Sequence, residues 1–256
     1  MSNASIIVTR PSPGIACVTL NRPDRVNAID EALLIELDLA VRAIARDKDV
    51  RVWILTGAAR NDARPCFSAG LDLKAVAAGE YMQRELGPQV TDLIDDLLKP
   101  SIAMIDGIAS TGAMELALAC DFRIVGEQVQ ISDWHLKNLG HGLGAWGSPT
   151  RWLQLIGSQK TKEIILTGKI IDADEACRIG LALRRFSSAS LWEKTLEFAE
   201  SMAAMNPEGV AMALAHIQEF DSAARDNSLK LAPKIARWLG DKTPLAQRLK
   251  IKPDQD

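Results

Sequence analysis

Apolar positions follow two different spacings along the first two thirds of the chain. Continuous apolar runs of strand length predict buried strands at 15–20, 52–56, 102–105 and 122–125. Apolar residues at helical spacing predict a helix capped by Asp30, a second that ends before Pro100, and a third over about 112–119. Because strands alternate with helices, the pattern favours an α/β layer with parallel strands.

The strand pattern stops at about residue 190, and the remainder of the chain has helical spacing. Helices are predicted at 191–203, from Asn206 and Pro207 onward, and at about 228–240. We therefore expect an α/β core over residues 1–190 and a helical region over residues 191–256. A helical region of this kind either closes the core or packs on another subunit.

Residues 57–70 (GAARNDARPCFSAG) lie between a predicted strand and a predicted helix and show no apolar period. A long segment without regular structure in a compact domain is often functional, and disorder is the alternative interpretation. We expect a functional loop at this place in the chain.

Composition narrows the functional classes. Of the 256 residues, 47% are apolar and 25% are charged, as in a typical globular protein. The net charge of −3 argues against general affinity for nucleic acid or for an anionic membrane. The four cysteines form no CxxC pair, and the sequence shows no signal-peptide pattern and no apolar run of about 18 residues. We expect a cytoplasmic protein without a nucleic-acid or membrane partner.

Two segments, 67–74 and 106–116, have the same pattern, in which small residues connect a predicted strand to the start of a predicted helix. The free backbone N–H groups at the start of a helix can bind an anion or a polarised carbonyl. Glu115 is the only charged residue from 107 to 120. It either complements the helix dipole at N3 after a Gly112 N-cap, or acts as a buried base in proton transfer. Donors from two separate turns are what an oxyanion hole requires.

Several motifs together resemble one known family. Residues 99–121 (KPSIAMIDGIASTGAMELALACD) resemble the signature of the enoyl-CoA hydratase/isomerase (crotonase) superfamily, and residues 66–74 (CFSAGLDLK) resemble its first oxyanion loop. Further matches lie at 20–28 (LNRPDRVNA) and at 167–181 (TGKIIDADEACRIGL). The motifs occur in the expected order over nearly the whole chain, and the C-terminal helices match least.

The resemblance implies an α/β, crotonase-like spiral of ββα units, followed by a C-terminal helical trimerisation region. It implies an enzyme of the enoyl-CoA hydratase type, which adds water across the α,β double bond of an acyl-CoA thioester. Coenzyme A is then part of the substrate, and neither a separate cofactor nor a metal is implied. The expected assembly is a homotrimer or a dimer of trimers.

The resemblance also assigns site residues. The thioester carbonyl would lie between the N–H groups of Leu71 and Gly112, which stabilise an enolate-like intermediate. Glu115 matches the first catalytic glutamate, which acts on the water that adds to the double bond. The residues that would line the coenzyme A site are Ala28, Ala69, Gly70, Asp72 and Leu73.

The chain departs from the family pattern at the second catalytic glutamate. The matching stretch is 131–135 (ISDWH), so His135 stands where that glutamate would be. With an ordinary pKa of about 6.5, a histidine there acts as acid or base at neutral pH, and a purely structural histidine is the alternative. Asp133 is a second candidate, which we interpret as a solvated loop residue. A metal site of Glu115, His135 and His141 matches no ligand spacing.

Other interpretations carry less support. The Trp-His pair is similar to the 4-chlorobenzoyl-CoA dehalogenase branch, but the expected aspartate nucleophile is missing from 140–150 (GHGLGAWGSPT). The GxGxxG match at 142–147 lacks the preceding apolar strand of a dinucleotide site. Two alternatives stay open on the same scaffold, an enoyl-CoA isomerase and a C–C bond (ring-opening) acyl-CoA hydrolase. An inactive oligomer that binds RNA is a further hypothesis, which the net charge weakens.

Overall fold

The computed structural model describes residues 4–78, 85–140, 144–218 and Lys230. The strands are β1 (Ile6–Ser12), β2 (Ile15–Leu20), β3 (Val52–Gly57), β4 (Cys66–Ser68), β5 (Ser101–Ile105), β6 (Ile108–Ser110), β7 (Phe122–Gly126), β8 (Gln130–Ser132) and β9 (Arg184–Phe186). The helices are α1 (Glu31–Arg46), α2 (Leu73–Ala77), α3 (Leu86–Asp95), α4 (Gly112–Ala119), α5 (His135–Leu139), α6 (Ser148–Thr167, interrupted at Gly157), α7 (Ala173–Arg178) and α8 (Ser188–Ala203). A further helix runs from 207 to the end of the described range at 218.

The strands form two sheets that the chain visits in turn. The larger sheet has the order β1-β2-β3-β5-β7-β9, in which only the β1–β2 pair is antiparallel. The smaller sheet has the order β4-β6-β8 and is parallel. Three times, two strands that are consecutive in sequence lie one in the larger sheet and one in the smaller sheet, and a helix follows them. The consecutive strands are β3 and β4, β5 and β6, and β7 and β8. This repetition makes a spiral of ββα units, as predicted.

Helices cover both faces of the larger sheet. On one face α1 buries Leu33, Leu37, Val41 and Ile44, and the Asp30 side chain accepts a hydrogen bond from the Leu33 N–H at 2.9 Å, which confirms the predicted cap. On the other face α8 packs against the alternate residues of the strands. Continuous apolar runs are therefore required in β2, β3, β5 and β7, because both faces of these strands are buried.

The structure confirms the four predicted strands and adds others that the sequence pattern does not reveal. These are the seven-residue antiparallel edge strand β1 and the three-residue strands β4, β6, β8 and β9. The predicted loop 57–70 contains β4, because three residues are too few to show a period. The helix predicted to end before Pro100 is α3, which ends at Asp95, and Leu98 beyond it is exposed.

The C-terminal region is described only in part. Its first helix, α8, begins at Ser188 and packs on the larger sheet. The predicted helix at about 228–240 lies outside the described residues, except for Lys230. The division at residue 190 and the role of residues 191–256 in oligomerisation therefore stay predictions.

Within the described ranges, no helix has the length and hydrophobicity needed to cross a bilayer. The four cysteines carry free thiols, three of them buried. Burial raises the pKa of the Cys66 thiol to about 11, so this side chain is not a thiolate nucleophile at neutral pH.

Candidate active site

The candidate site lies where the three strands of the smaller sheet end. β4, β6 and β8 end at Ser68, Ser110 and Ser132, and the predicted site segments follow directly after each of them. Because the strands are parallel neighbours, their carboxyl ends lie at the same edge of the sheet. The Ser110 and Ser132 hydroxyls are 2.9 Å apart, which marks the matched ends of β6 and β8.

The turns after β4 and β6 touch each other at Gly70. This residue has φ +88°, and a Cβ there would lie 2.1 Å from Thr111 Oγ1 and 2.5 Å from the Ser110 carbonyl oxygen. Only glycine satisfies both the backbone angle and the close approach. The same Cβ position is 3.3 Å from the Gly112 nitrogen. The segment before Leu71 and the start of α4 are thus in direct contact.

Leu71 and Gly112 both have backbone N–H groups without an acceptor among the described residues. The bridge between Ile29 and Leu71 is made by the Ile29 N–H to the Gly70 carbonyl and by the Asp72 N–H to the Ile29 carbonyl. Neither the Leu71 N–H nor the Gly112 N–H donates a hydrogen bond to a described residue. Two free donors therefore come from two adjoining turns.

A fully buried amide holds the first turn in place. The Asn27 side chain donates to the carbonyls of Ala58 at 2.8 Å and of Phe67 at 3.1 Å, and it accepts the Arg22 N–H at 3.0 Å. The Ser68 hydroxyl donates to the Asn27 carbonyl at 2.6 Å and accepts the Gly70 N–H at 3.1 Å. These bonds tie the segment of Asn27 to the end of β4.

The predicted coenzyme A residues form one patch next to this turn. Asp72 caps α2 by accepting the N–H groups of Lys74 and Ala75, and it pairs with Arg22 at 3.1 Å. Arg22 also donates to the Ala28 carbonyl. Of this predicted set, Ala69 is exposed, Leu73 is half-buried, and Ala28, Gly70 and Asp72 are buried.

Glu115 is 2% exposed and does not have the simple capping position that a Gly112 N-cap would give it. Thr111 is the N-cap, so Gly112 is the first helical residue and Glu115 lies one position deeper than N3. Its Oε1 accepts the backbone N–H groups of Trp146 at 2.8 Å and of Ser148 at 3.1 Å. Oε1 is thereby occupied, and Oε2 is left to react.

The segment of Trp146, whose N–H binds Glu115, is itself held by side chains of α3 and α6. Arg151 donates to the Trp146 carbonyl at 2.7 Å and pairs with Asp95 at 2.9 Å, and the Thr91 hydroxyl donates to the same carbonyl at 2.9 Å. A Cβ at Gly144 would lie 2.4 Å from Glu115 Oε1, so the backbone there closes over the carboxylate.

His135 faces Glu115 and has a second carboxylate behind it. Its Nε2 lies 3.5 Å from Glu115 Oε2, and its Nδ1 lies 2.8 Å from Asp133 Oδ1. Asp133 is 1% exposed, and its Oδ2 accepts the Ser148 hydroxyl at 2.6 Å. The interpretation of Asp133 as a solvated loop residue is therefore wrong, because its carboxylate is enclosed by His135 and Ser148.

The two carboxylates decide the charge of His135. Burial alone would lower the pKa of this ring, but its hydrogen bonds and charge interactions with Asp133 and Glu115 outweigh burial and raise the pKa to about 10. Burial of Asp133 acts in the opposite sense, and its hydrogen bonds and charge interaction with His135 hold the pKa of this carboxyl below its ordinary value. His135 is therefore an imidazolium at neutral pH, and not the freely titrating acid or base expected from an ordinary histidine.

The residues that position these groups are not evident from the sequence. Asp133 was a second candidate for the role of His135 and was interpreted as a solvated loop residue, and Ser148, Trp146 and Asn27 were given no role. The spacing of Asp133 and His135 is a local signal that could have suggested a carboxylate–imidazole pair. The contacts of Ser148 and Trp146 with Glu115 span more than 30 residues, and no pattern within the sequence reports them. His141 lies outside the described residues, so the metal hypothesis that includes it is not examined by this geometry.

Comparison with known proteins gives a consistent family. A family model described as enoyl-CoA hydratase/isomerase matches residues 10–237 of the chain. The probable enoyl-CoA hydratase 1, peroxisomal, of Arabidopsis thaliana is 32% identical over 216 residues, which cover 83% of this chain and 77% of that protein. The short-chain-enoyl-CoA hydratase of Clostridium acetobutylicum is 31% identical over 203 residues, which cover 77% of this chain and 75% of that protein.

Solved structures agree with this result. An enoyl-CoA hydratase from Bacillus anthracis superposes with a TM-score of 0.80 at 31% identity, covering 93% of this chain and 92% of that one. A monofunctional enoyl CoA isomerase from M. smegmatis superposes with a TM-score of 0.74 at 30% identity, covering 89% of this chain and 99% of that one. The crotonase-like fold predicted from the sequence is confirmed.

The charge of His135 predicts a pH dependence of stability. Because the pKa of this residue is raised in the folded protein, its contribution is complete below its ordinary pKa of about 6.5 and is lost as pH rises through its raised value. We expect the free energy of unfolding to fall more steeply between pH 7 and 10 in the wild type than in His135→Gln. Urea denaturation across this range measures the difference. His216→Gln, which changes an exposed histidine, is the control and should follow the wild type; parallel curves for all three proteins would contradict the assignment.

Proposed function

Because the chain belongs to the enoyl-CoA hydratase/isomerase family, we propose that it adds water across the α,β double bond of an enoyl-CoA thioester. One observation carries this proposal. Glu115 Oε2 and His135 Nε2 face each other at 3.5 Å, and the first N–H group of α4, the helix that carries Glu115, has no acceptor among the described residues. Hydration needs a base for water, an acid for the α-carbon, and donors for the thioester oxygen, and the arrangement offers all three.

The free N–H groups of Leu71 and Gly112 bind the thioester oxygen in this proposal. Negative charge develops on that oxygen when water attacks the β-carbon and an enolate forms. Donors that are already oriented, and that make no hydrogen bond to the part of the chain that the structure describes, stabilise this charge without rearrangement. One such donor typically contributes about 3 kcal/mol. The contact between Gly70 and Thr111 supports the proposal, because it brings the two donors' turns together.

Glu115 and His135 divide the proton transfers. Glu115 Oε2 takes the proton from water as the oxygen attacks the β-carbon, while Oε1 stays held by the Trp146 and Ser148 N–H groups. His135, charged at neutral pH, delivers its Nε2 proton to the α-carbon. The enzyme then holds a neutral Glu115 and a neutral His135. A proton shift across their short separation restores the starting state.

The substrate is an acyl-CoA thioester, and coenzyme A enters as part of it. We assign Ala28, Ala69, Gly70, Asp72 and Leu73 to its binding, since they surround the turn that carries Leu71. The proposed reaction needs no cofactor or metal. Among the described residues, no group of three or more His, Cys, Asp or Glu side chains is arranged to hold a metal ion.

The proposal is tested with a panel of enoyl-CoA and cyclic acyl-CoA thioesters. Loss of the conjugated enoyl absorbance reports hydration, deuterium uptake from D₂O without net addition reports isomerisation, and ring hydrolysis gives a dicarboxylic monothioester. Hydration of at least one straight-chain enoyl-CoA supports the proposal. Isomerisation or ring opening alone would replace it with the corresponding alternative.

Assembly and location are part of the proposal. We assign a homotrimer or a dimer of trimers and a cytoplasmic location, without nucleic-acid or membrane partners. The negative net charge supports the absence of a nucleic-acid partner. One relative is named as peroxisomal and another as mitochondrial.

The division of labour between Glu115 and His135 predicts distinct effects of their substitution. Glu115→Gln should abolish hydration and leave thioester binding largely intact, because it keeps the shape of the side chain and removes its basicity. His135→Ala should lower kcat by about 10²-fold or more. In the wild type, kcat should fall at alkaline pH as the raised pKa of His135 is passed. A His135→Ala protein with wild-type kcat and pH profile would show that this histidine is structural.

The donor role of Gly112 predicts a difference between two substitutions at one position. A Cβ there would lie 2.8 Å from the Trp146 ring, so both Gly112→Ala and Gly112→Pro meet the same steric conflict. Only Gly112→Pro also removes the N–H group. We expect kcat to be about 10²–10³-fold lower in Gly112→Pro than in Gly112→Ala. Equal rates in two folded variants, judged by circular dichroism, would exclude this donor.

The proposed assembly predicts a large particle in solution. Sedimentation equilibrium at micromolar concentration should give about three or six times the mass of one chain, because the family's C-terminal helices join subunits. A compact monomer under these conditions would contradict the assignment of residues 191–256 to oligomerisation.

A further inference from the structure

Asp133 is a buried carboxylate for which the proposed reaction has no use. Its Oδ1 lies 2.8 Å from His135 Nδ1 and accepts the His135 backbone N–H at 3.2 Å. Its Oδ2 accepts the Ser148 hydroxyl at 2.6 Å. Both oxygens are thus engaged, on the side of the ring away from Glu115. A charge buried this deeply costs free energy, so its partners define what it does.

The contacts of the ring determine where its hydrogens are. A carboxylate only accepts hydrogen bonds, so Nδ1 must carry a hydrogen towards Asp133. In a neutral ring Nε2 would then present a lone pair to Glu115 Oε2 at 3.5 Å, and two acceptors would face each other in a buried space. A hydrogen on Nε2 removes this conflict. With both carboxylates ionised, the geometry therefore favours a ring that is protonated at both nitrogens.

Ser148 connects the two carboxylates on opposite sides of the ring. Its N–H donates to Glu115 Oε1 at 3.1 Å, and its hydroxyl donates to Asp133 Oδ2 at 2.6 Å. Ser148 is fully buried at the first position of α6, after Gly147, whose φ of +106° allows the chain to turn there. One residue thus sets the places of Glu115 and Asp133 together.

We propose that Asp133, with Ser148 as its partner, is a positioning residue that keeps His135 doubly protonated and its Nε2–H directed at the space beside Glu115 Oε2. This inference rests on the proposed function, because it explains why a histidine can stand where a second proton-transferring carboxyl would be. When Nε2–H gives its proton to the α-carbon, the ring keeps the hydrogen on Nδ1, which still donates a hydrogen bond to Asp133. The proton taken from water by Glu115 then returns to Nε2.

Glu115 and Asp133 are the titratable groups in direct contact with the ring among the described residues. Lys137, on the same short helix, lies over the Trp134 ring, 4.7 Å from its centroid. The charge state of His135 is therefore controlled from two sides, and Asp133→Asn removes one of them. Asparagine keeps the size of the side chain and an oxygen that can accept from Nδ1–H, so the substitution removes charge with little change of shape.

The experiment compares Asp133→Asn with the same substitution at Asp121, a half-buried aspartate outside the site. Asp121 accepts the N–H and hydroxyl of Ser101 at the amino ends of β5 and β7, and it makes no bond with the site, so Asp121→Asn is the control. We expect Asp133→Asn to lower kcat by about 10²-fold or more with little change in KM, and to move the alkaline limb of kcat to lower pH. Asp121→Asn should change neither kcat nor the pH profile.

A second measurement does not depend on activity. The chain has three histidines, so nitrogen NMR of ¹⁵N-histidine protein, assigned with His135→Gln, follows the ring directly. We expect both ring nitrogens of His135 to be protonated at neutral pH in the wild type, and one proton to be lost at clearly lower pH in Asp133→Asn. A folded Asp133→Asn protein with an unchanged His135 titration overturns the proposal.

Two further outcomes are decided by the same measurements. If Asp133→Asn does not fold, Asp133→Ser takes its place, because it also removes the carboxylate charge, and it should shift the His135 titration and the alkaline limb in the same direction. An unchanged titration in Asp133→Ser would then overturn the proposal. If the wild type hydrates no enoyl-CoA thioester, the proposed function fails, while the NMR comparison still decides whether Asp133 controls the ring.

Discussion

The parallel pairing of β4, β6 and β8 is the constraint on which the site depends. Each strand has three residues, and their common edge collects turns that are far apart in sequence. The pairing brings Gly70 against Thr111 and places the Ser132 carbonyl, which accepts the Thr111 N–H, beside the start of α4. So short a sheet has few hydrogen bonds of its own. Buried side chains such as Asn27 therefore complete it by tying the preceding loops to its strands.

Burial of charge is compensated differently at each point of the site. Glu115 is held by two backbone N–H groups, Arg151 pairs with acidic residues of α3, and Asp133 lies between an imidazolium and a hydroxyl. A second glutamate opposite Glu115 would place like charges together and favour protonation of one of them. His135 instead adds an opposite charge, and the pair Glu115–His135 is neutral as a whole. In the proposed reaction, His135 is thus the proton donor because of its surroundings.

How much of this could be predicted from the sequence depends on whether the signal is local. The runs in β2, β3, β5 and β7 are visible because both faces of these strands are buried, and Glu115 is visible as a lone charge in an apolar helix. The resemblance of the motifs predicted that Leu71, Gly112 and His135 belong to one site. In the structure, the segments that contain these residues follow strands that end at one edge of the smaller sheet. Three-residue strands have no period to detect. The burial of Asp133 depends on Ser148, fifteen positions away in another element, so residues 131–135 alone suggest a solvated loop.

The proposed groups fall into two kinds that respond differently to substitution. The donors to the thioester oxygen and to Glu115 Oε1 are backbone N–H groups of Leu71, Gly112, Trp146 and Ser148, which most side-chain changes leave in place. Oε2 is the oxygen of Glu115 that acts as the proposed base, because Oε1 already accepts two N–H groups of this backbone frame. The proposed acid, in contrast, consists wholly of side chains that follow β8, namely His135 and its partner Asp133. The frame therefore fixes where charge can develop on the substrate, and the side chains after Ser132 decide which proton transfers accompany it.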